Sequence, residues 1–158
     1  MKSFEPLTLE RAYQYALKLL ATRDYTTTKL REKLRSRNCP ETIAESVVTR
    51  LAMEGWINDR RFAERFAESA LATLRFFGPR LKLEMRRRGI SADLIDEVLG
   101  MFCGEHDEGE GARLLLEKRF PGFSFSDTTD GEKQRVIAFL QRRGFGFSVI
   151  MKAMREQV

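Results

Sequence analysis

The chain has 158 residues, 42% hydrophobic and 32% charged, with a formal net charge of +5. No apolar run approaches the ~18 residues that span a bilayer, and Met1-Lys2-Ser3-Phe4-Glu5-Pro6 lacks the apolar core of a signal peptide. Composition therefore excludes a membrane protein and points to a soluble, cytoplasmic, helical chain whose basic excess suits an acidic partner.

Helical periodicity starts early. Thr8 is placed to cap a first helix running to about Arg23, with Ala12, Tyr15, Ala16, Leu19 and Leu20 along one stripe. Asp24 and Thr26-Thr27-Thr28 supply turn and cap chemistry for a second helix over 28–37. Asn38 then follows where a left-handed residue ends a helix. Pro40 suits the first turn of a third helix carrying Ile43, Val47, Val48 and Leu51. The plan then repeats. Asn58-Asp59 caps a helix carrying Phe62, Phe66, Ala70 and Leu71. Gly78-Pro79 opens the next, Gly89 ends it, and Ser91 caps a short helix with Leu94, Ile95, Val98 and Leu99 inward. In the last third, Gly104, Gly109 and Gly111 dilute the start of a helix containing Ala112-Arg113-Leu114-Leu115. A loop with Pro121-Gly122 follows. Thr129 and Glu132 then have the spacing of a capping box, Gly144 ends that helix, and a last one covers 147–157. No alternating pattern of useful length marks a strand, so the fold expected is all-α.

One segment recurs three times. Leu30 to Cys39, Leu81 to Ile90 and Val136 to Phe145 each present spaced apolar residues, a basic run, Asn or Gly, then an apolar residue. Ile43, Leu94 and Val149 continue the register. Three tandem three-helix repeats are expected, over residues 1–56, 57–103 and 104–158, because one such unit alone buries too little core. Stacked repeats usually present an extended binding surface.

Reactive groups are few. The one histidine, His106, lies in an acidic turn. Cys39 and Cys103 occupy apolar positions of the repeat. Asp93, Asp96 and Glu97 fall on the outer face of a short helix. With no phosphate-binding loop, His/Cys cluster or nucleophile elbow, no enzyme activity, metal or cofactor is expected. The basic runs are more informative. Arg35 and Arg37, Arg86, Arg87 and Arg88, and Arg142 and Arg143 each fall in the last turn of a repeat's second helix, with Lys29 and Lys33 on the first repeat's copy and Arg80 on the second's. The helix dipole favours a cation there by ~0.3–1 kcal/mol. The alternative is a basic stripe, built by stacking these helix ends, that binds phosphates or an acidic protein groove. Trp56, Phe62, Phe66, Phe139 and Phe145 are expected in the core, with Phe76-Phe77 open as a stacking pair.

Three stretches resemble the RecX family, regulatory proteins of the RecA recombinase. They are Arg23-Asp24-Tyr25-Thr26 with Leu30-Arg31-Glu32-Lys33-Leu34, Gly55-Trp56-Ile57-Asn58-Asp59-Arg60-Arg61-Phe62-Ala63, and Phe77-Gly78-Pro79-Arg80 leading to Met85-Arg86-Arg87-Arg88-Gly89-Ile90. The resemblance implies an elongated, curved molecule that lies in the groove of a RecA–DNA filament and restrains ATP hydrolysis and strand exchange in DNA repair and the SOS response; a monomer is the default expectation. DNA, single- or double-stranded, is a further partner it leaves open. A free-standing helical DNA-binding protein is the rival reading, and scarce Asn and Gln on the second helices count against it.

Overall fold

The computed structural model describes residues 5–102 and 107–157. Among these the chain is all helix: α1 (Leu9–Thr22), α2 (Thr27–Ser36), α3 (Glu41–Met53), α4 (Asp59–Ala72), α5 (Gly78–Arg87), α6 (Ala92–Met101), α7 (Glu108–Arg119), α8 (Asp130–Arg143) and α9 (Phe147–Arg155). No helix among them is long and apolar enough to cross a membrane. Cys103 and His106 lie outside the described residues.

Local chemistry sets the helix ends. The Thr8 hydroxyl accepts from the Arg11 amide, and Thr26 caps α2 by accepting from the Lys29 amide. Asn58 Oδ1 accepts from the Arg61 amide at 2.9 Å, and Ser91 Oγ from the Leu94 amide at 3.3 Å. Thr129 and Glu132 form the reciprocal capping box. At the other ends Asn38, Gly89 and Gly144 take left-handed φ angles of 59°, 85° and 104°. Pro40 differs from expectation. It precedes α3 as its cap residue, in extended backbone, because the helix begins only at Glu41.

By packing, the described residues divide into two compact units. One runs to Arg65 and includes Met85–Ile95; the other comprises Phe66–Glu84 and the chain from Asp96 onward. In the first, α1, α2 and α3 close around Ala12, Ala16, Tyr25, Leu30, Leu34, Ala44, Val47, Val48, Leu51 and Ile57. Cys39 joins this core as a free thiol, and burial pushes its pKa up. In the second, α7, α8 and α9 pack together. Ala112, Leu115, Leu116, Val136, Leu140, Ile150 and Met154 are buried there. The Phe77 and Phe145 rings meet with centroids 4.3 Å apart. Trp56 departs from the expected core: it is 58% exposed, because the turn at Gly55 ends α3 and leaves Ile57 to take the buried position.

Candidate functional site

In the first unit, three consecutive threonines between α1 and α2 each join a different segment. The Thr26 hydroxyl donates to the Arg88 carbonyl, and Thr28 Oγ1 donates to the Gly89 carbonyl at 3.3 Å. Thr27 gives its amide and its hydroxyl to the Asp59 carboxylate, at 2.8 and 2.7 Å. This fixes the entry to α2 against the turn after α5 and the start of α4.

A cleft of about 600 Å³ opens beside this junction, lined by Arg23, Asp24, Tyr25, Thr26, Lys29, Glu32, Lys33, Ser36, Phe62, Arg87 and Arg88. Helical spacing places Lys29, Glu32, Lys33 and Ser36 on one face of α2. Tyr25 is almost wholly buried, Phe62 is half-buried, and the Arg23 guanidinium lies 4.8 Å from the Tyr25 ring centroid. The lining carries five cationic side chains against two carboxylates. Both carboxylates are engaged: Asp24 pairs with Arg65 at 3.2 Å and Glu32 with Lys29 at 2.8 Å. Lys33 makes no ion pair among the described residues. The cleft is a cation-rimmed recess over aromatic rings, suited to an anionic group on an apolar carrier.

The cleft gathers Lys29, Lys33, Arg87 and Arg88, four of the cations the sequence singled out. Others of that set have different surroundings. Arg35 holds Glu41 with two bonds, at 2.8 and 2.6 Å, which raises the Arg35 pKa and lowers that of Glu41. Arg37 lies over the Tyr15 ring, and Arg86 is exposed. In the second unit, Arg80 pairs with Glu84 at 2.8 Å, and Arg142 is exposed at the end of α8. Arg143 is half-buried and donates to the carbonyls of Leu74 and Arg75.

The expected side-by-side alignment of helix ends does not occur within the first unit. The end of α5 meets the start of α2, not its end, because the Thr26 and Thr28 hydroxyls satisfy the carbonyls that α5 and its turn leave open. Ten residues of helix, ~15 Å, separate that junction from Arg37. Sequence reasoning also missed Arg23 and Tyr25 as lining residues. Phe62, expected in the core, has a ring that faces the cleft as well.

Family comparisons agree with the repeat. Models of the RecX first, second and third three-helix domains match residues 12–51, 58–99 and 107–154. The regulatory protein RecX of Trichlorobacter lovleyi is 41% identical over 138 residues, covering 87% of this chain and 90% of that protein. That of Syntrophotalea carbinolica is 31% identical over 146 residues, covering 92% and 95%. A crystal structure of RecX from Lactobacillus salivarius shares the fold, with a TM-score of 0.73 at 21% identity over 94% of this chain and 96% of that one. The chain, three tandem three-helix domains in one all-α protein, belongs to the RecX family.

Proposed function

We propose that this chain regulates the RecA recombinase by binding the groove of the RecA–DNA filament, where it restrains ATP hydrolysis and strand exchange during DNA repair and the SOS response. It acts by binding rather than by catalysis, as a cytoplasmic monomer whose three repeats, over residues 1–56, 57–103 and 104–158, each add contact. The cleft carries this reading: Lys33, Arg87 and Arg88 face one recess together with Arg23 and Lys29, and its two carboxylates are already engaged. An acidic side chain of the filament or a DNA phosphate entering there meets Lys33, which makes no ion pair among the described residues, with the other cations beside it. A filament also presents the same surface many times, so linked weak contacts add through effective concentration. Relatives named regulatory protein RecX are consistent with this role.

The test is DNA-dependent ATP hydrolysis by RecA with this protein titrated in at fixed salt. Inhibition at amounts too small to sequester the DNA is the expected result. No inhibition together with tight binding to bare DNA would favour an independent DNA-binding protein.

A further inference from the structure

The cleft of the first unit holds groups for which a macromolecular anion has no use. Its volume, about 600 Å³, falls within the ~300–1,000 Å³ of small-molecule sites. Lys29, Lys33 and Ser36 follow one another along one face of α2 over ~10 Å. Arg23 and Lys33 make no ion pair among the described residues. Flat groups line the same recess: the half-buried Phe62 ring, and the Arg23 guanidinium, which lies 4.8 Å from the Tyr25 ring centroid. Acceptors are present too. Ser36 donates its own hydroxyl proton to the Lys33 carbonyl at 2.7 Å and keeps its oxygen lone pairs. Asp24 and Glu32 are engaged by Arg65 and Lys29, yet a carboxylate has about four acceptor positions, more than one cation fills.

A run of phosphates or an acidic peptide would use the cations and leave the ring and the carboxylates without a role. A small molecule that uses all three must carry a compact anionic arm, a flat ring, and hydroxyl or amino donors. We propose that the cleft is a binding site for a free nucleoside triphosphate, a small-molecule ligand. Lys29 and Lys33 hold its phosphates as point charges, and Arg87 and Arg88 add positive charge at the same recess. Its base lies on the Phe62 ring, and its ribose and amino groups donate to Asp24 and Glu32. A nucleotide and an acidic group of a filament both need Lys33, so nucleotide occupancy competes with filament binding. That competition rests on the filament reading; the site itself does not.

The experiment titrates ATP into the full chain by calorimetry, at fixed salt and without magnesium, RecA or DNA. Inorganic tripolyphosphate and adenosine are titrated alongside. Saturable binding of one ATP per chain is expected, with each fragment about tenfold weaker or more, since each keeps only part of the contacts. Phe62→Leu, which retains apolar bulk, should weaken ATP about tenfold and leave tripolyphosphate unchanged. Lys33→Gln should weaken both about tenfold. ATP binding by a chain that ignores the filament would support the site and end only the competition. Tripolyphosphate as tight as ATP would overturn the proposal, as would no ATP binding at millimolar concentration. So would unchanged ATP affinity in either variant with helicity intact by circular dichroism. Should Phe62→Leu fail to fold, the exposed-face variant Lys33→Gln and the two fragments decide the matter.

Discussion

The Asp59 carboxylate grips Thr27 twice, at the amide and at the hydroxyl, over distances of 2.8 and 2.7 Å. The acid of the Asn58-Asp59 pair therefore serves a helix 32 residues earlier, satisfying an open amide at the start of α2, while Asn58 caps α4 itself. The two neighbours divide two helix starts between them. Losing the carboxylate leaves the Thr27 amide short of its charge-assisted partner. Asp59→Ala is expected to lower stability by about 1–3 kcal/mol in urea denaturation, and Asn58→Ala by about 1 kcal/mol. A cost for Asp59→Ala within ~0.3 kcal/mol of zero would show that the contact adds nothing.

Helix-ending glycines differ in what surrounds them. A Cβ on Gly144 would lie 2.0 Å from the Phe77 carbonyl oxygen, and one on Gly89 would lie 2.5 Å from the Thr28 Cβ. Gly55 has a similar φ, +79°, but nothing within 4 Å of such an atom. Gly55→Ala should cost about 1 kcal/mol, from the left-handed backbone alone. Gly89→Ala and Gly144→Ala should each cost ~3 kcal/mol or more, since the neighbours must also move. Equal melting temperatures for the three variants would contradict the packing at both junctions.

Phe62 and Leu34 separate cleft from core. Leu34 is fully buried, so Leu34→Ala should cost about 2–5 kcal/mol. Phe62 is only half-buried at the cleft wall, so Phe62→Ala should cost ~1–2 kcal/mol, less than a core phenylalanine. Chemical denaturation of both variants checks the order.

Acid should weaken the fold through three carboxylates. A hydrogen bond from Tyr13 lowers the Glu54 pKa, one from Arg35 lowers that of Glu41, and bonds from Thr129 lower that of Glu132, each from an ordinary 4.5. A carboxyl that is a stronger acid when folded contributes stability above its unfolded pKa and loses it as pH falls through the folded one. The melting temperature should therefore hold near neutrality and decline below about pH 4.5. Tyr13 works in the opposite sense. Its hydrogen bond to Glu54 raises its pKa above 10.0, so its contribution is complete below that pH and fades as the folded group ionises. Glu41→Gln with Glu54→Gln and Glu132→Gln should flatten the acid decline. An acid limb identical to that of the parent would show that these groups do not set it.

Much of the fold was legible because its signals are local. A hydroxyl before an apolar-periodic stretch, the Thr129–Glu132 spacing, and Asn38, Gly89 and Gly144 at one register position all act within a few residues. The site was legible only in part. The repeat showed that basic residues recur, but an arginine's partner depends on what folds against it. Arg35 found Glu41 across a short turn, and Arg143 found two main-chain carbonyls, which have no sequence signature. One of those carbonyls belongs to Leu74, held at a left-handed φ of 57° that its side chain does not favour. The cleft itself joins the α1–α2 connection, a face of α2, Phe62 and the turn after α5, so no single stretch reveals it.

Binding of the RecA filament by cleft charge is tested most directly with a preformed RecA filament on single-stranded DNA. The affinities of the parent and Lys33→Glu/Arg87→Glu chains for it are measured at one physiological salt concentration. We predict unchanged helicity and nearly unchanged melting, with filament affinity at least tenfold weaker, ~1.4 kcal/mol or more. Unaltered affinity in a folded double variant would contradict this and remove the cleft from the binding surface.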